Sequence, residues 1–196
     1  LQQPHVPRTP HPRFEGKSGM GPRGDVIVEA DWCIGEFYKT LESEGILDNT
    51  LIIFSSDNGP VLNDGYYDDA VEKLGDHTPS GGLRGGKYSL FEAGTKVPFI
   101  SYWRGKINPG VSNELISQVD LLNSISSIIG SEYKSNDGID LSDLLIRNKG
   151  KGRENIIVEA STRTAFRKGD WVIIPPYNAP AVNKNVNIEL GNSKNF

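Results

Sequence analysis

The segment TLIIFSSDNGP, Thr50 to Pro60, changes character halfway along. Its first half is a short continuous apolar run, Leu51-Ile52-Ile53-Phe54, with polar residues on either side. That pattern predicts a strand buried on both faces, the kind found in sheets covered by helices. The second half, Asp57-Asn58-Gly59-Pro60, ends the strand, because proline cannot donate to a sheet ladder. Two readings of this end stand side by side. Asn-Gly is the strongest short hairpin signal, but Pro60 and the loop-like VLNDGYYDDA (61–70) offer no partner strand directly after it. Alternatively, a carboxylate beside an amide oxygen supplies two hard ligands, which suit Ca²⁺ or Mg²⁺. Two ligands do not hold a metal alone.

Upstream, residues 1–24 carry five prolines (4, 7, 10, 12 and 22) and four glycines (16, 19, 21 and 24), so they are expected to run irregularly over a surface. A helix is predicted from about Arg23 to Gly45. Its apolar positions Ile27, Ala30, Ile34, Phe37 and Leu41 step by three and four and form one face, and Gly45 suits the position after the helix. Downstream, residues 61–86 read as loop. Val97–Trp103 reads as a second buried strand, and Ser117–Ile129 as a helix, with Ser117 capping and Asp120 in the capping-box position. The apolar face of that helix is Val119, Leu122, Ile125, Ile128 and Ile129. Asn155–Glu159 and Trp171–Ile174 read as strands, with Lys168-Gly169-Asp170 as a turn, so the tail is expected to be an antiparallel hairpin. Helix, buried strand, long loop, buried strand and helix make an α/β pattern, in which ligands bind beyond the carboxyl ends of strands. Asp57 and Asn58 stand at such an end.

Composition narrows the function classes. The chain has 196 residues, 21 Lys plus Arg against 25 Asp plus Glu, and a formal net charge of −4. A basic nucleic-acid footprint is absent. Cys33 is the single cysteine, so neither an internal disulfide nor a cysteine zinc knuckle can form. Apolar runs are far shorter than the roughly 20 residues a membrane-spanning helix needs.

Further groups could carry chemistry. In Gly81-Gly82-Leu83-Arg84-Gly85-Gly86-Lys87 the glycines allow close backbone approach to an anion, and Lys87 adds a point charge. The P-loop spacing fails because Tyr88 follows Lys87. Taken in isolation, the run reads as a flexible loop with a solvated lysine. His5 lies between Pro4 and Pro7 on a stiff segment. His11 reads as a surface residue, and His77 is open between a surface loop and a substrate contact. Asp64, Asp68 and Asp69 lack EF-hand spacing and read as a solvated loop. No GxSxG elbow is present, and Cys33 sits in the amphipathic helix as a small, partly buried hydrophobe.

In this order, a His-x-Pro loop, a helix, LIIFSSDNGP and then GGLRGGKYSLFEAGTKVPFI, the chain resembles the sulfatase family of the arylsulfatase A-like type, within the alkaline phosphatase superfamily. The resemblance spans about residues 4–130 and continues through DGIDLSDLL (Asp137 to Leu145) and the strand pair around FRKGDWVIIP. It implies an alkaline phosphatase-like sheet flanked by helices. It also implies that Asp57 and Asn58 bind Ca²⁺, that Lys87 and His5 face the sulfate, and that a sulfated small molecule or glycan is the substrate. His77, Tyr66 and Tyr67 lie in the loop where a substrate could reach. In the family a formylglycine, made from Cys or Ser, acts as its hydrated aldehyde, attacks sulfur and later expels sulfate.

The family's nucleophile motif, Cys/Ser-x-Pro/Ala-x-Arg, is absent, and so is its early Asp-Asp metal pair. The chain therefore reads as the C-terminal portion of a sulfatase catalytic domain (1–150) followed by the start of a C-terminal subdomain (151–196). It is expected to be inactive alone and to associate through an exposed sheet edge. The family further implies export to a periplasmic, extracellular or lysosomal compartment. Two alternatives remain: a phosphatase or phosphodiesterase of the same superfamily, and a catalytically inert binding or structural fragment.

Overall fold

The structure, a computed structural model, describes residues 1–176, 178, 182–183 and 186–187. Among the described residues the α-helices are α1 (Gly21–Ser43), α2 (Glu92–Thr95), α3 (Asp120–Ile128) and α4 (Ser142–Arg147). The strands are β1 (Ile52–Ser55), β2 (Phe99–Tyr102), β3 (Asn155–Ala160), β4 (Arg163–Lys168), β5 (Trp171–Ile173), β6 (Val182–Asn183) and β7 (Val186–Asn187). The predicted tail beyond residue 176 lies largely outside the described residues. The chain divides into two units, one built on Leu1–Ile46 and Ser56–Pro98, the other on Leu47–Ser55 and Phe99–Pro176.

In the first unit, α1 begins where Pro22 occupies the first turn, a position whose N–H has no helical partner to lose. It ends in a Schellman motif. Gly45 adopts φ +69°, its N–H reaches Glu42 O at 3.0 Å, and the N–H of Ile46 reaches Leu41 O at 3.0 Å. Asp25 ties the preceding loop to the helix by accepting from the N–H groups of Gly16 and Ser18 and from Ser18 Oγ. Burial pushes the Asp25 carboxyl up, and these donors outweigh it and hold it below the usual carboxylate range. The predicted apolar face is only partly covered: Phe37 is 65% exposed and Ile27 39%. Phe14, on the 3-10 turn Pro12–Phe14, meets the Trp32 ring at 5.6 Å, and the Arg13 guanidinium lies 4.2 Å from the centre of the same ring.

A main-chain interlock shapes the rest of this unit. Gly59 N–H donates to Gly94 O at 2.9 Å, Lys87 N–H to Pro60 O at 2.9 Å, and Ala93 N–H to Arg84 O at 2.9 Å. The fit needs glycine at both crossing points. A Cβ on Gly59 would fall 1.6 Å from Ala93 O, and one on Gly94 would fall 2.2 Å from Ser89 O. Leu62, Leu90 and Ala93, on the two limbs of the interlock, are buried.

In the second unit, β1 and β2 pair antiparallel, with Ile52 opposite Tyr102 and Ser55 opposite Phe99. The expectation of strands buried on both faces is corrected: Phe54 is 38% and Ile100 57% exposed. Pairing covers a strand's edge, whereas its faces are covered only by layers stacked on them. Helix α3 reverses its expected orientation. Val119, Leu122, Ile125 and Ile129 are exposed, while Asp120, Asn123, Ser124 and Ser126 are buried. The reason is a hydrogen-bond network on the polar stripe. Asn123 Nδ2 donates to Gly138 O at 2.6 Å, Asn123 Oδ1 accepts from Ser135 N–H at 2.7 Å, and Ser124 Oγ accepts from Leu141 N–H at 2.9 Å. Asp120 accepts from Ile139 N–H and Ser117 N–H, the latter being one half of the predicted capping box. Arg153 grips Asp120 with Nε and Nη2 at 2.5 to 2.9 Å. Burial pushes the Asp120 carboxyl up, but Arg153 and the two N–H groups hold it below the usual range.

The predicted hairpin becomes a three-stranded antiparallel meander, β3-β4-β5. Arg163–Lys168 supplies the middle strand, and the expected Lys168-Gly169-Asp170 turn joins β4 to β5. Burial alternates along β4, with Ala165 buried between exposed Thr164 and Phe166, but the sequence RTAFRK carries no matching apolar–polar alternation.

Three changes test these constraints. Gly59→Ala should destabilise by about 3 kcal/mol through backbone displacement, and Gly35→Ala, mid-α1 with open space around it, should stabilise by about 0.5–1 kcal/mol. Urea unfolding of both variants checks this, and equal effects would contradict the interlock. Asp120→Asn should cost about 3 kcal/mol at neutral pH, because Arg153 loses its counter-charge. A carboxyl with lowered pKa stabilises fully above its unfolded value near 3.9 and loses that contribution as pH falls through the folded value. The gap between wild type and Asp120→Asn should therefore close on acidification below about pH 4. A gap that persists there would disprove the ionic account.

Candidate functional site

Asp57 and Asn58 follow β1 directly, in the segment that the interlock holds. The hairpin reading of Asn58-Gly59 falls away, because Gly59 N–H is bonded to Gly94. Asn58 Nδ2 donates to Gly59 O at 2.8 Å, and its main-chain oxygen accepts from Ser56 Oγ at 3.0 Å. The amide is thereby oriented, and its Oδ1 takes no hydrogen bond among the described residues. The Asp57 carboxylate is exposed. A carboxylate and an amide oxygen fit a hard cation such as Ca²⁺, which takes six to eight oxygens. Among the described residues no group of three or more His, Cys, Asp and Glu side chains could hold a metal ion. The pair therefore fits as a partial donor set.

Lys87 is half-buried at the turn of the second limb, its own N–H fixed on Pro60 O. The loop around it is folded, not the flexible glycine run expected from an isolated reading. Ser89 N–H bonds Gly86 O at 3.0 Å, Phe91 N–H bonds Ser89 Oγ at 3.0 Å, and Gly85 adopts φ +91°. Tyr88 takes φ +71°, a conformation that costs a non-glycine residue about 1–2 kcal/mol. The surrounding hydrogen bonds hold it there, with the Lys87 ammonium 5.6 Å from its ring centre. Pro60 thus links the limb carrying Asp57 and Asn58 to the limb carrying Lys87 by one main-chain bond.

His5 is exposed at the end of a turn that its N–H closes on Gln2 O at 2.9 Å. Its Nδ1 lies 2.8 Å from Val6 O. A carbonyl only accepts, so Nδ1 carries the proton and Nε2 is the nitrogen left to face a substrate. His77 is exposed, and its N–H bonds Leu74 O at 3.3 Å within its own loop; none of its contacts ties it to His5, Asp57 or Lys87. His11 is exposed, as expected.

Arg8 escaped sequence reasoning, and it overturns the solvated reading for Asp64 and Asp68, whereas Asp69 is exposed as expected. Its side chain is 1% exposed and bonds Asp68 Oδ2 at 2.7 Å, with Asp64 at 3.7 Å. The Asp68 side chain is itself 5% exposed. A guanidinium withdrawn from water needs counter-charge, and the two aspartates provide it. An arginine in a proline-rich stretch and aspartates far along the chain carry no shared local signal, so only the folded structure joins them. Arg23, at the start of α1, is also buried, with Nε and Nη1 unbonded; burial and nearby Arg8 push its pKa down, and Asp68 offsets part of this.

A family model described as Sulfatase matches residues 1–131. An N-acetylgalactosamine-6-O-sulfatase of Bacteroides thetaiotaomicron is 47% identical over 98% of this chain and 39% of its own length. Human arylsulfatase A is 34% identical over 78% of this chain and 29% of its own length. The chain thus spans about two fifths or less of the length of these relatives. Among solved structures, one from work on glycosaminoglycan metabolism by Bacteroides thetaiotaomicron superposes with TM-score 0.92 at 45% identity, covering 99% of this chain and 41% of that one. A Pseudoalteromonas sulfatase superposes with TM-score 0.73 at 34% identity, over 88% of this chain and 34% of that one. The expected α/β, alkaline phosphatase-like fold accords with these neighbours. With the family model matched over residues 1–131 and a sulfatase relative 47% identical over nearly the whole chain, this chain belongs to the sulfatase family.

Proposed function

We propose that this chain forms part of an enzyme that hydrolyses sulfate esters on a glycan, with the 6-O-sulfate of N-acetylgalactosamine as the favoured substrate. The observation that carries the reading is the interlock that joins the Asp57-Asn58 segment, with its oriented Asn58 amide, to Lys87 through Pro60. The substrate class is supported by the 47% identity to an N-acetylgalactosamine-6-O-sulfatase.

Lys87 would place its ammonium against a sulfuryl oxygen and offset the charge that grows there as the ester bond breaks. His5, with Nδ1–H committed to Val6 O, would meet the sulfate or the leaving oxygen through Nε2. Asp57 and Asn58 would contribute two oxygens to Ca²⁺, which when bound would polarise the sulfuryl group as a Lewis acid. His77, Tyr66 and Tyr67 would meet the remainder of the glycan. Cys33 lies inside the uninterrupted helix α1 and does not fit the formylglycine precursor, so no step is assigned to it. No described helix is long and apolar enough to cross a membrane. Export is proposed from family membership alone.

Lys87→Ala, in the active sulfatase containing these residues, should lower kcat/KM on 6-sulfated N-acetylgalactosamine by about 10²- to 10³-fold, the scale of one lost charge-stabilising donor. Activity that survives this change would refute the assignment. The 196-residue chain alone should release no sulfate, and calorimetric titration with Ca²⁺ should show no tight site, since two ligands fall short of a calcium sphere. Submicromolar calcium binding by this chain would contradict the partial donor set.

A further inference from the structure

All three guanidinium nitrogens of Arg8 are used, and they point to two different segments. Nε donates to Pro4 O at 3.0 Å, the carbonyl immediately before His5. Nη1 donates to Leu62 O at 3.4 Å and to Asp68 Oδ2 at 2.7 Å, while Nη2 donates to Val61 O at 3.3 Å. Val61 and Leu62 directly follow Pro60, whose carbonyl holds the N–H of Lys87. One buried side chain therefore spans the His5 turn and the limb that bears Asp57, Asn58 and, through Pro60, Lys87.

We propose that Arg8 is a positioning residue that holds the His5 turn in register with the Asp57-Asn58 and Lys87 limbs, so that the sulfate-facing groups act on one sulfate. The inference rests on the sulfatase reading above. Its chemistry favours arginine specifically. The planar fork reaches three carbonyls and a carboxylate at once, whereas a lysine ammonium is a point charge with three donors and cannot span them. Asp68 and Asp64 keep the guanidinium charge-balanced without exposing it to water. Arg8 itself, with its side chain 1% exposed, is closed off from substrate and acts only through the residues it holds.

A double-mutant cycle in the active sulfatase containing this chain tests the proposal, with 6-sulfated N-acetylgalactosamine as substrate. Arg8→Met should lower kcat at least tenfold while KM stays within about threefold, and Arg8→Lys should recover only part of the loss. In a His5→Ala background Arg8→Met should add less than a twofold further loss, because the group it positions is already gone. Asp68→Asn, which leaves the guanidinium in place, should give an intermediate loss that also vanishes in the His5→Ala background. If Arg8→Met does not fold, Arg8→Lys and Asp68→Asn complete the same cycle. Losses that multiply with His5→Ala would show a general structural role and overturn the proposal while leaving the sulfatase reading intact. Full activity of His5→Ala would instead remove His5 from the site and overturn the positioning role together with that part of the functional reading.

Discussion

A glycine N–H at residue 59 donates to a glycine carbonyl at residue 94, and the space between the two segments is too small for any side chain. Much of the first unit follows from that contact. It fixes the DNGP limb against the GGKYSLFEAG limb, and this in turn sets Lys87 N–H on Pro60 O. The close approach explains why two glycine-bearing motifs are needed. Glycine's conformational entropy is a cost to folding, offset here by main-chain bonds between the two loops. The positive φ of Tyr88 belongs to the same arrangement: a strained aromatic is tolerated next to Lys87 because the bonds on either side determine the path of the chain.

Each unit also uses one buried guanidinium–carboxylate contact to organise loops. Arg8 and Asp68 gather the His5 turn and the 61–68 loop, while Asp120 and Arg153 gather the loop around Ile139 and the approach to β3. In both cases the partners belong to segments far apart in sequence. In both, main-chain groups share the contact: Arg8 also donates to Pro4, Val61 and Leu62 carbonyls, and Asp120 also accepts from the N–H groups of Ser117 and Ile139. A buried pair left with unmet hydrogen-bonding groups costs stability, and one whose groups are met can specify a unique loop path. These contacts do for the irregular segments what apolar packing does for regular ones.

Periodicity and turn chemistry made the elements legible. The Gly45 terminus of α1, the end of β1 before Asp57, and the Lys168-Gly169-Asp170 turn were all readable, because each rests on a local preference of one or two residues. The motifs of the site were readable as strings. Their folding together was not, since no local rule predicts that Gly59 meets Gly94 or that Arg8 meets Asp68. The orientation of α3 was misread for a related reason. Asp120, Asn123 and Ser124 share one face and Leu122, Ile125 and Ile129 another, and periodicity identifies both stripes without saying which one the chain covers. The network to Gly138, Ile139 and Leu141 settled it in favour of the polar stripe.

The exposed apolar stripes and the site share an origin. Phe37 on α1, Ile125 on α3, and Phe54 and Ile100 on β1 and β2 form patterns suited to more burial than the described residues provide. Asp57 and Asn58 likewise offer donors suited to more ligands than the described residues provide. A strand with two apolar faces needs layers on both, and a calcium ion needs more than two oxygens. Among the described residues both the packing of these faces and the coordination at Asp57 and Asn58 are incomplete. The site segments are nevertheless ordered by their own internal bonds. The interlock at Gly59 and the Arg8 clamp involve only residues within 1–94, so the placement of the His5 turn and of the Asp57-Asn58 and Lys87 limbs rests on bonds internal to the first unit.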